Sequence, residues 1–289
     1  MTKHQSLSPL NRQAIFDQLA TTVQSKISKQ LAKPLTINKK PDGSSVTEVE
    51  HDITEYMVGW LKENTDINAV VAEEQSDEEN QEAASQECYW ELDALDGTAA
   101  FIDYHKSSNK AEEAEFSVLL SLIENGSPTF GAIWFPIQQT LYSIDDNGIA
   151  FEQKKGGRRI PLKDLPGIPQ EPLVITQSPI EFSNDPPLPN GLNSYEIQRF
   201  RHVSNLLFPI MSRAHLANMG SGFKTWDVSA LHAIAKAAGA ECVGNDGKPL
   251  KYGSGANGDF TLPAFKVGTI EILGRLNLID PEIEQKIQR

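Results

Sequence analysis

The stretch Trp90-Glu91-Leu92-Asp93-Ala94-Leu95-Asp96-Gly97-Thr98-Ala99-Ala100-Phe101 sets two carboxylates, Asp93 and Asp96, ahead of a Gly-Thr pair. From Cys88 to Leu95 large apolar and polar side chains alternate, which predicts a half-buried strand. Asp96 falls where a helix can begin, and Gly97 allows a sharp turn there. A helix N-terminus after such a strand offers unpaired N–H groups and partial positive charge, which together bind phosphate. The carboxylates would repel that phosphate unless a hard cation lay between them, and Mg2+ takes oxygen ligands of this kind. The same residues also describe a capped helix with a spare acid, and the bare D-x-x-D-G-T spacing does not choose between the two.

The flanking sequence supplies elements that can position these groups. Ile15, Leu19, Val23, Ile27 and Leu31, widened by Phe16 and Ala20, predict an amphipathic helix ending before Pro34. After a polar loop from Asn38 to Ser45, Val46 to Asp52 leads into a second helix carrying Ile53, Met57, Trp60 and Leu61. Thr47 and Glu50 have the spacing of a capping box at its start. Ile67 to Ala72 predicts a short buried strand ending in Glu73-Glu74. The run from Gln75 to Glu87 reads as a solvated, mobile acidic loop. Antiparallel strands are expected over Phe116 to Ile123, Thr129 to Phe135 and Thr140 to Ile144, joined by polar turns. The proline-punctuated stretch Pro161 to Pro172 divides the chain into 1–165 and 166–289. Leu173 to Thr176 then reads as a strand and Ser183 to Gly191 as loop. Thr225 to Ala238 predicts a helix with Val228, Leu231, Ile234, Ala235 and Ala238 on its apolar face and Gly239 closing it. Asp227 sits at its N-terminus, where a carboxylate is favourable on helix-dipole grounds alone.

Composition excludes several classes. A chain of 289 residues with 39% hydrophobic and 22% charged residues has the profile of a soluble globular protein. Its net charge of −13 argues against a nucleic-acid polymer as partner, and obliges any anionic substrate to find a local positive centre. Two cysteines and no C-x-x-C leave no disulfide framework or structural zinc site. The N-terminus lacks an apolar h-region and no apolar run approaches membrane-spanning length, so a cytoplasmic protein with no membrane partner is expected. Gly253 to Gly258 fits G-x-G-x-x-G, but Pro263 follows and no helix opens, which sets aside a dinucleotide role. The six histidines show no ligand spacing, and no Ser/His/Asp or Cys/His arrangement is evident.

As an ordered set, Glu73-Glu74, Asp93-Ala94-Leu95-Asp96-Gly97-Thr98 and Trp226-Asp227 resemble the inositol monophosphatase superfamily of magnesium-dependent, lithium-sensitive phosphomonoesterases. Asp42-Gly43-Ser44-Ser45-Val46-Thr47 and Asn245-Asp246-Gly247-Lys248-Pro249-Leu250 also fit, so the resemblance runs from about Ile15 to Tyr252. It implies an α/β fold of alternating α-β-α-β-α layers, with a sheet-rich N-terminal part and a smaller α/β C-terminal part completing the site. It further implies that Glu73, Asp93, Asp96 and the backbone carbonyl of Leu95 hold two or three Mg2+ ions. Asp227 would close the site from the second part, and Gly97 and Thr98 would meet the phosphate. Glu50, standing where the family has aspartate, would pair with Thr98 to orient the attacking water. No protein nucleophile is required, and the implied partner is a small phosphomonoester; a homodimer is left open. Ala94 departs from the usual proline.

Gly97 to Ile102, Glu115 to Val118 and Gly131 to Pro136 look most like the 3'(2'),5'-bisphosphate nucleotidase branch, which hydrolyses 3'-phosphoadenosine 5'-phosphate. The branch's G-S-x-x-L-K stretch is poorly matched around His202-Val203-Ser204-Asn205, where Arg199, Arg201, Arg213 and Lys224 are the nearby cations. An inositol monophosphatase-type polyol phosphatase is the alternative. A catalytically lapsed metal- and anion-binding sensor is the alternative from another class.

Overall fold

Leu19, Val23 and Ile27 are fully buried, and the helix that carries them is the outer layer of the molecule. The computed structural model describes residues 9–40, 43–108, 114, 116–165, 173–177, 196–199, 216–253, 259–275 and 277–281. The first helical stretch comprises α1 (Pro9–Asp17), a π-helical segment (Gln18–Val23) and α2 (Gln24–Leu31). A small hairpin of β1 (Ile37–Lys39) and β2 (Ser45–Thr47) leads into α3 (Glu48–Asn64), which starts with the expected Thr47/Glu50 capping box. Then come β3 (Val70–Ala72), α4 (Asp77–Ala84), β4 (Cys88–Asp96), α5 (Thr98–Lys106), β5 (Ser117–Glu124), β6 (Ser127–Phe135), β7 (Thr140–Ile144), β8 (Ala150–Lys154) and β9 (Ile160–Pro161). Strands β3 to β9 form one seven-stranded sheet in sequence order, parallel between β3 and β4 and antiparallel thereafter.

The second sheet contains β10 (Leu173–Gln177), β11 (Glu196–Arg199), β12 (Leu216–Met219), β13 (Ala240–Gly244) and β14 (Phe265–Thr269), in the order β11-β10-β12-β14-β13. Helix α6 (Thr225–Ala237) lies between the two sheets, and α7 (Ile270–Arg275) packs outside the second. The layers therefore alternate α-β-α-β-α, as the family resemblance implied. Two cores meet the first sheet. Ile15, Ile53 and Met57 join Trp90 and Leu92 on one face, while Val228 and Leu231 of α6 join Tyr89 and Leu119 on the other. Gly131 of β6 has no room for a side chain, because the Ala230 carbonyl oxygen would lie 2.1 Å from its Cβ. No helix among the described residues is long and apolar enough to cross a membrane. The Ser183 to Gly191 loop and residues 254–258 of the glycine motif lie outside the described residues.

Three expectations are corrected. Cys88 to Leu95 is not half-buried: from Tyr89 to Leu95 every residue is buried, because helices cover both faces of β4. Asp96 is the last residue of the strand and Gly97, at φ 88°, is the helix N-cap. The acidic run from Gln75 to Glu87 is not simply a loop, since Ser76 and Glu79 make a capping box that starts α4. Its acidic first turn suits the helix dipole. Asn80, 2% exposed, then clamps the open edge of β3, accepting from Ala72 N and donating to Ala72 O at 2.9 Å each. The histidines had no assignment. His232 proves to be buried between Tyr252 OH, 3.0 Å from its Nδ1, and Glu241 Oε1 on its Nε2, and burial holds its pKa below the usual value.

Because the Asn80 amide stands in for a missing strand, Asn80→Leu strips both bonds from a buried edge. Ala72 O keeps its bond from Gln75 N at 3.1 Å, so Ala72 N alone is left unpaired; we expect a loss of about 1–3 kcal/mol, measured by urea denaturation, and an unchanged midpoint and slope would show that the clamp is idle.

Candidate metal centre

On a regular strand, residues three apart face opposite sides of the sheet. Asp93 and Asp96 escape that rule through a bulge. Asp93 pairs with Leu119 but Asp96 with Ser117, so three steps on β4 match two on β5. Asp93 Oδ1 accepts from Leu95 N at 2.9 Å, which folds the bulge on itself, and Ser117 Oγ donates to Asp96 Oδ2 at 3.4 Å. Gly97 then turns the chain into α5, where the first intrahelical bond runs from Phe101 N to Gly97 O at 3.0 Å. The N–H groups of the preceding helical residues are those that α5 offers at its N-terminus.

The electrostatics show that four acids from three elements share this place. Burial comes first, then Glu73, Asp96 and Asp227, in holding the Asp93 carboxyl well above the usual range. Asp96 is pushed up to about 7 by burial and by Glu73, against the Ser117 hydroxyl. Asp227 is likewise raised by burial and by Asp96, while the N–H of Lys224, donated to Asp227 Oδ2 at 2.8 Å, opposes this. Asp227 thus ties down the start of α6 as a capping acid and also faces the carboxylates of β3 and β4. The donor chemistry is hard, anionic oxygen, which suits Mg2+. Among the described residues, no three Asp, Glu, His or Cys side chains stand as a closed ligand set, and Glu73 is engaged elsewhere. Lys40 Nζ lies 2.6 Å from Glu73 Oε1 and 2.7 Å from Glu74 Oε1. Burial works against the charge of Lys40, but the two carboxylates outweigh it and raise its pKa.

Glu50 unites its two candidate roles. Its Oε2 accepts from Thr47 N at 2.5 Å and Thr47 Oγ1 at 2.6 Å, which is the cap. Its Oε1 accepts from Thr98 Oγ1 at 2.6 Å. The Thr98 hydroxyl also lies 3.4 Å from the carbonyl of Leu95. Glu50 is 1% exposed, and burial lifts its pKa to about 7 against the bonds from Thr47 and Thr98.

The structure therefore gathers Glu50, Glu73, Asp93, Leu95, Asp96, Gly97, Thr98 and Asp227 about the end of β4. Lys224 turns its Nζ to Asp259 O at 2.6 Å and Thr261 Oγ1 at 3.0 Å, and so is committed to the neighbouring loop. Arg201, Arg213 and His202 to Asn205 lie outside the described residues, as does the side chain of Arg199. Sequence reasoning missed Lys40. Its signal was a paired lysine in a loop of a chain with net charge −13, and only the fold shows which acids it meets.

The layered fold and the acid-lined end of β4 define a class. Residues 10–267 match the inositol monophosphatase family, and the chain belongs to that family. Among curated relatives, the 3'(2'),5'-bisphosphate nucleotidase CysQ of Escherichia coli O157:H7 is 30% identical over 241 residues, covering 82% of this chain and 90% of the relative. Among solved structures, CysQ from Bacteroides thetaiotaomicron superposes with a TM-score of 0.66 at 22% identity, covering 89% of this chain and 97% of that one. An IMPase/NADP phosphatase complexed with Mg2+ and phosphate gives a TM-score of 0.68 at 15% identity, covering 94% and 96%. The family and these curated relatives are phosphatases.

The raised carboxyls make a signed prediction for the cation-free protein. A carboxylate whose folded pKa exceeds its unfolded value of about 4 is still protonated in the folded state where the unfolded chain has already lost the proton. Stability is then greatest at low pH and falls as pH rises through the folded pKa, about 7 for Asp96. With a chelator present, the melting temperature should drop between about pH 5 and 8. Asp93→Asn, which removes one of the repelling charges, should flatten that slope and raise the midpoint at the alkaline end. An identical slope in the variant would show that the acids do not repel one another.

Proposed function

We propose that the protein is a Mg2+-dependent phosphomonoesterase that cleaves a small phosphorylated nucleotide, 3'-phosphoadenosine 5'-phosphate foremost. The observation that carries this is the sharing of one place by Glu73, Asp93, Asp96 and Asp227, beside the N-terminus of α5 and the Glu50–Thr98 pair. In this reading Glu73, Asp93, Asp96, Asp227 and the Leu95 carbonyl hold two or three Mg2+ ions. When bound, these supply charge neutralisation of the phosphoryl oxygens and an acidified water. Gly97 and Thr98 present the helix N-terminus to the phosphate. Asp227 meets it from the C-terminal part, 166–289, across from the metal-binding part, 1–165. Glu50 holds the Thr98 hydroxyl by its Oε1, and that pair orients the attacking water and takes up its proton. A carboxyl with a pKa of about 7 is suited to this near neutral pH.

The nucleotide is favoured over a polyol phosphate by the bisphosphate nucleotidases that match this chain at 30% identity across four-fifths of its length. The intact Glu50–Thr98 bond favours a working enzyme over a lapsed sensor. In this reading the activity is cytoplasmic.

Phosphate release should be measured with 3'-phosphoadenosine 5'-phosphate, inositol 1-phosphate and fructose 1,6-bisphosphate, each with and without Mg2+. We expect the nucleotide to be turned over fastest and none without the metal; no release from any substrate would sink the proposal. Glu50→Gln cannot offer acceptors to Thr47 N, Thr47 Oγ1 and Thr98 Oγ1 together, because one of its two atoms is an amide donor. It should lose roughly 10²–10⁴-fold in kcat, and full activity would confine Glu50 to the cap.

A further inference from the structure

Glu91 lies two residues before Asp93 on β4, so both side chains leave the same face of the strand. That face is covered by α6, the helix that carries Asp227. Glu91 is 1% exposed, and neither of its oxygens has a direct hydrogen-bond partner; Thr225 Oγ1 on α6 is orphaned in the same way. Thr225 lies one turn before Ser229 on α6, so the two hydroxyls share a face of the helix. Directly across β5, Ser121 is the register partner of Glu91, and its Oγ is 2.7 Å from Ser229 Oγ. A polar seam therefore runs through an interface that holds many apolar contacts.

Such a seam is a costly way to hold two elements together. An aliphatic side chain at position 91 would avoid burying a carboxyl, and exchanges of that kind are often neutral or stabilising. What a polar seam does supply is register. The apolar contacts around Val228 and Leu231 tolerate a slide of the helix along its axis, whereas hydrogen-bonding groups meet in one alignment. Buried polar groups that face each other without direct contact are completed in proteins by an internal water.

We infer that Glu91 is a positioning residue of the proposed metal site: with the hydroxyls of Thr225 and Ser229 it forms a buried, water-completed latch that fixes α6 along β4 and so holds Asp227 opposite Asp93. The inference rests on the reading of these aspartates as Mg2+ ligands.

The test uses the full chain and Mg2+ alone, titrated by calorimetry, with melting temperatures measured in chelator. The wild type is titrated first; no Mg2+ binding there would overturn the metal reading and this inference with it. Given binding, Glu91→Leu should weaken Mg2+ affinity about 10–100-fold, as losses of ligand-orienting partners do, while its melting temperature stays level or rises. Glu91→Gln keeps the shape and the hydrogen-bonding capacity without the charge, and should restore near-wild-type affinity. Unchanged affinity in Glu91→Leu overturns the inference. Equal weakening in Glu91→Gln and Glu91→Leu also overturns it, by assigning the effect to charge rather than position. If Glu91→Leu does not fold, Ser229→Ala decides: weaker Mg2+ binding by folded protein supports the latch, and unchanged binding removes it.

Discussion

Bringing Glu73, Asp93, Asp96 and Asp227 together in a partly dry place raises the energy of every element that carries them, unless protons or cations meet the charge. The rest of the fold is arranged so that these elements cannot relax apart. Strand β4 is buried on both faces and cannot tilt without opening two cores. Helix α6 is pinned between the sheets, with the Ala230 carbonyl pressed into the space left by Gly131. The short strand β3, which delivers Glu73, has its free edge closed by Asn80. Repulsion at the site is thus opposed by apolar burial and backbone pairing some distance away, and that separation lets the site stay acidic without unfolding the protein.

Under the proposed function, Glu50 serves stability and chemistry at once. A capping box contributes about 0.5–2 kcal/mol to its helix, and here a single oxygen provides it by accepting both bonds from Thr47. The other oxygen is left free to reach Thr98, on a different element. The longer glutamate side chain spans the distance between the two. The cap and the bond to Thr98 are therefore not exclusive.

Much of this was legible in the chain because it is written locally. The four-residue spacing from Ile15 to Leu31, the Thr47/Glu50 pair and the Asp96-Gly97-Thr98 turn depend on neighbours in sequence, and the structure has them. What was illegible depends on neighbours in space. Alternation from Cys88 to Leu95 suggested one wet face, but Glu91 and Asp93 turn to α6, an element more than a hundred residues away. The acid-rich run after Glu74 looked too charged to fold. Ser76 and Glu79 have the spacing of a capping box that the sequence reading passed over, and the value of the helix lies in Asn80 meeting β3, which no local pattern announces. Lys40 was hidden for the same reason, since its partners lie over thirty positions downstream.

The charge balance of the site also bears on the order in which it can fill. The N-terminus of α5 carries about half a positive charge, and Lys40 contributes one more but spends it on Glu73 and Glu74. Against these stand three further ionisable acids, Asp93, Asp96 and Asp227, within the electrostatic reach of one another and of Glu73. A phosphate dianion approaching this arrangement meets repulsion that one helix terminus cannot offset. Protons lessen it at acid pH, and divalent cations reverse it near neutrality. Under the proposed function the acids therefore act twice: they turn the anion away while their charge is unbalanced, and once cations are held they make the same place attractive, so that phosphate follows metal rather than preceding it.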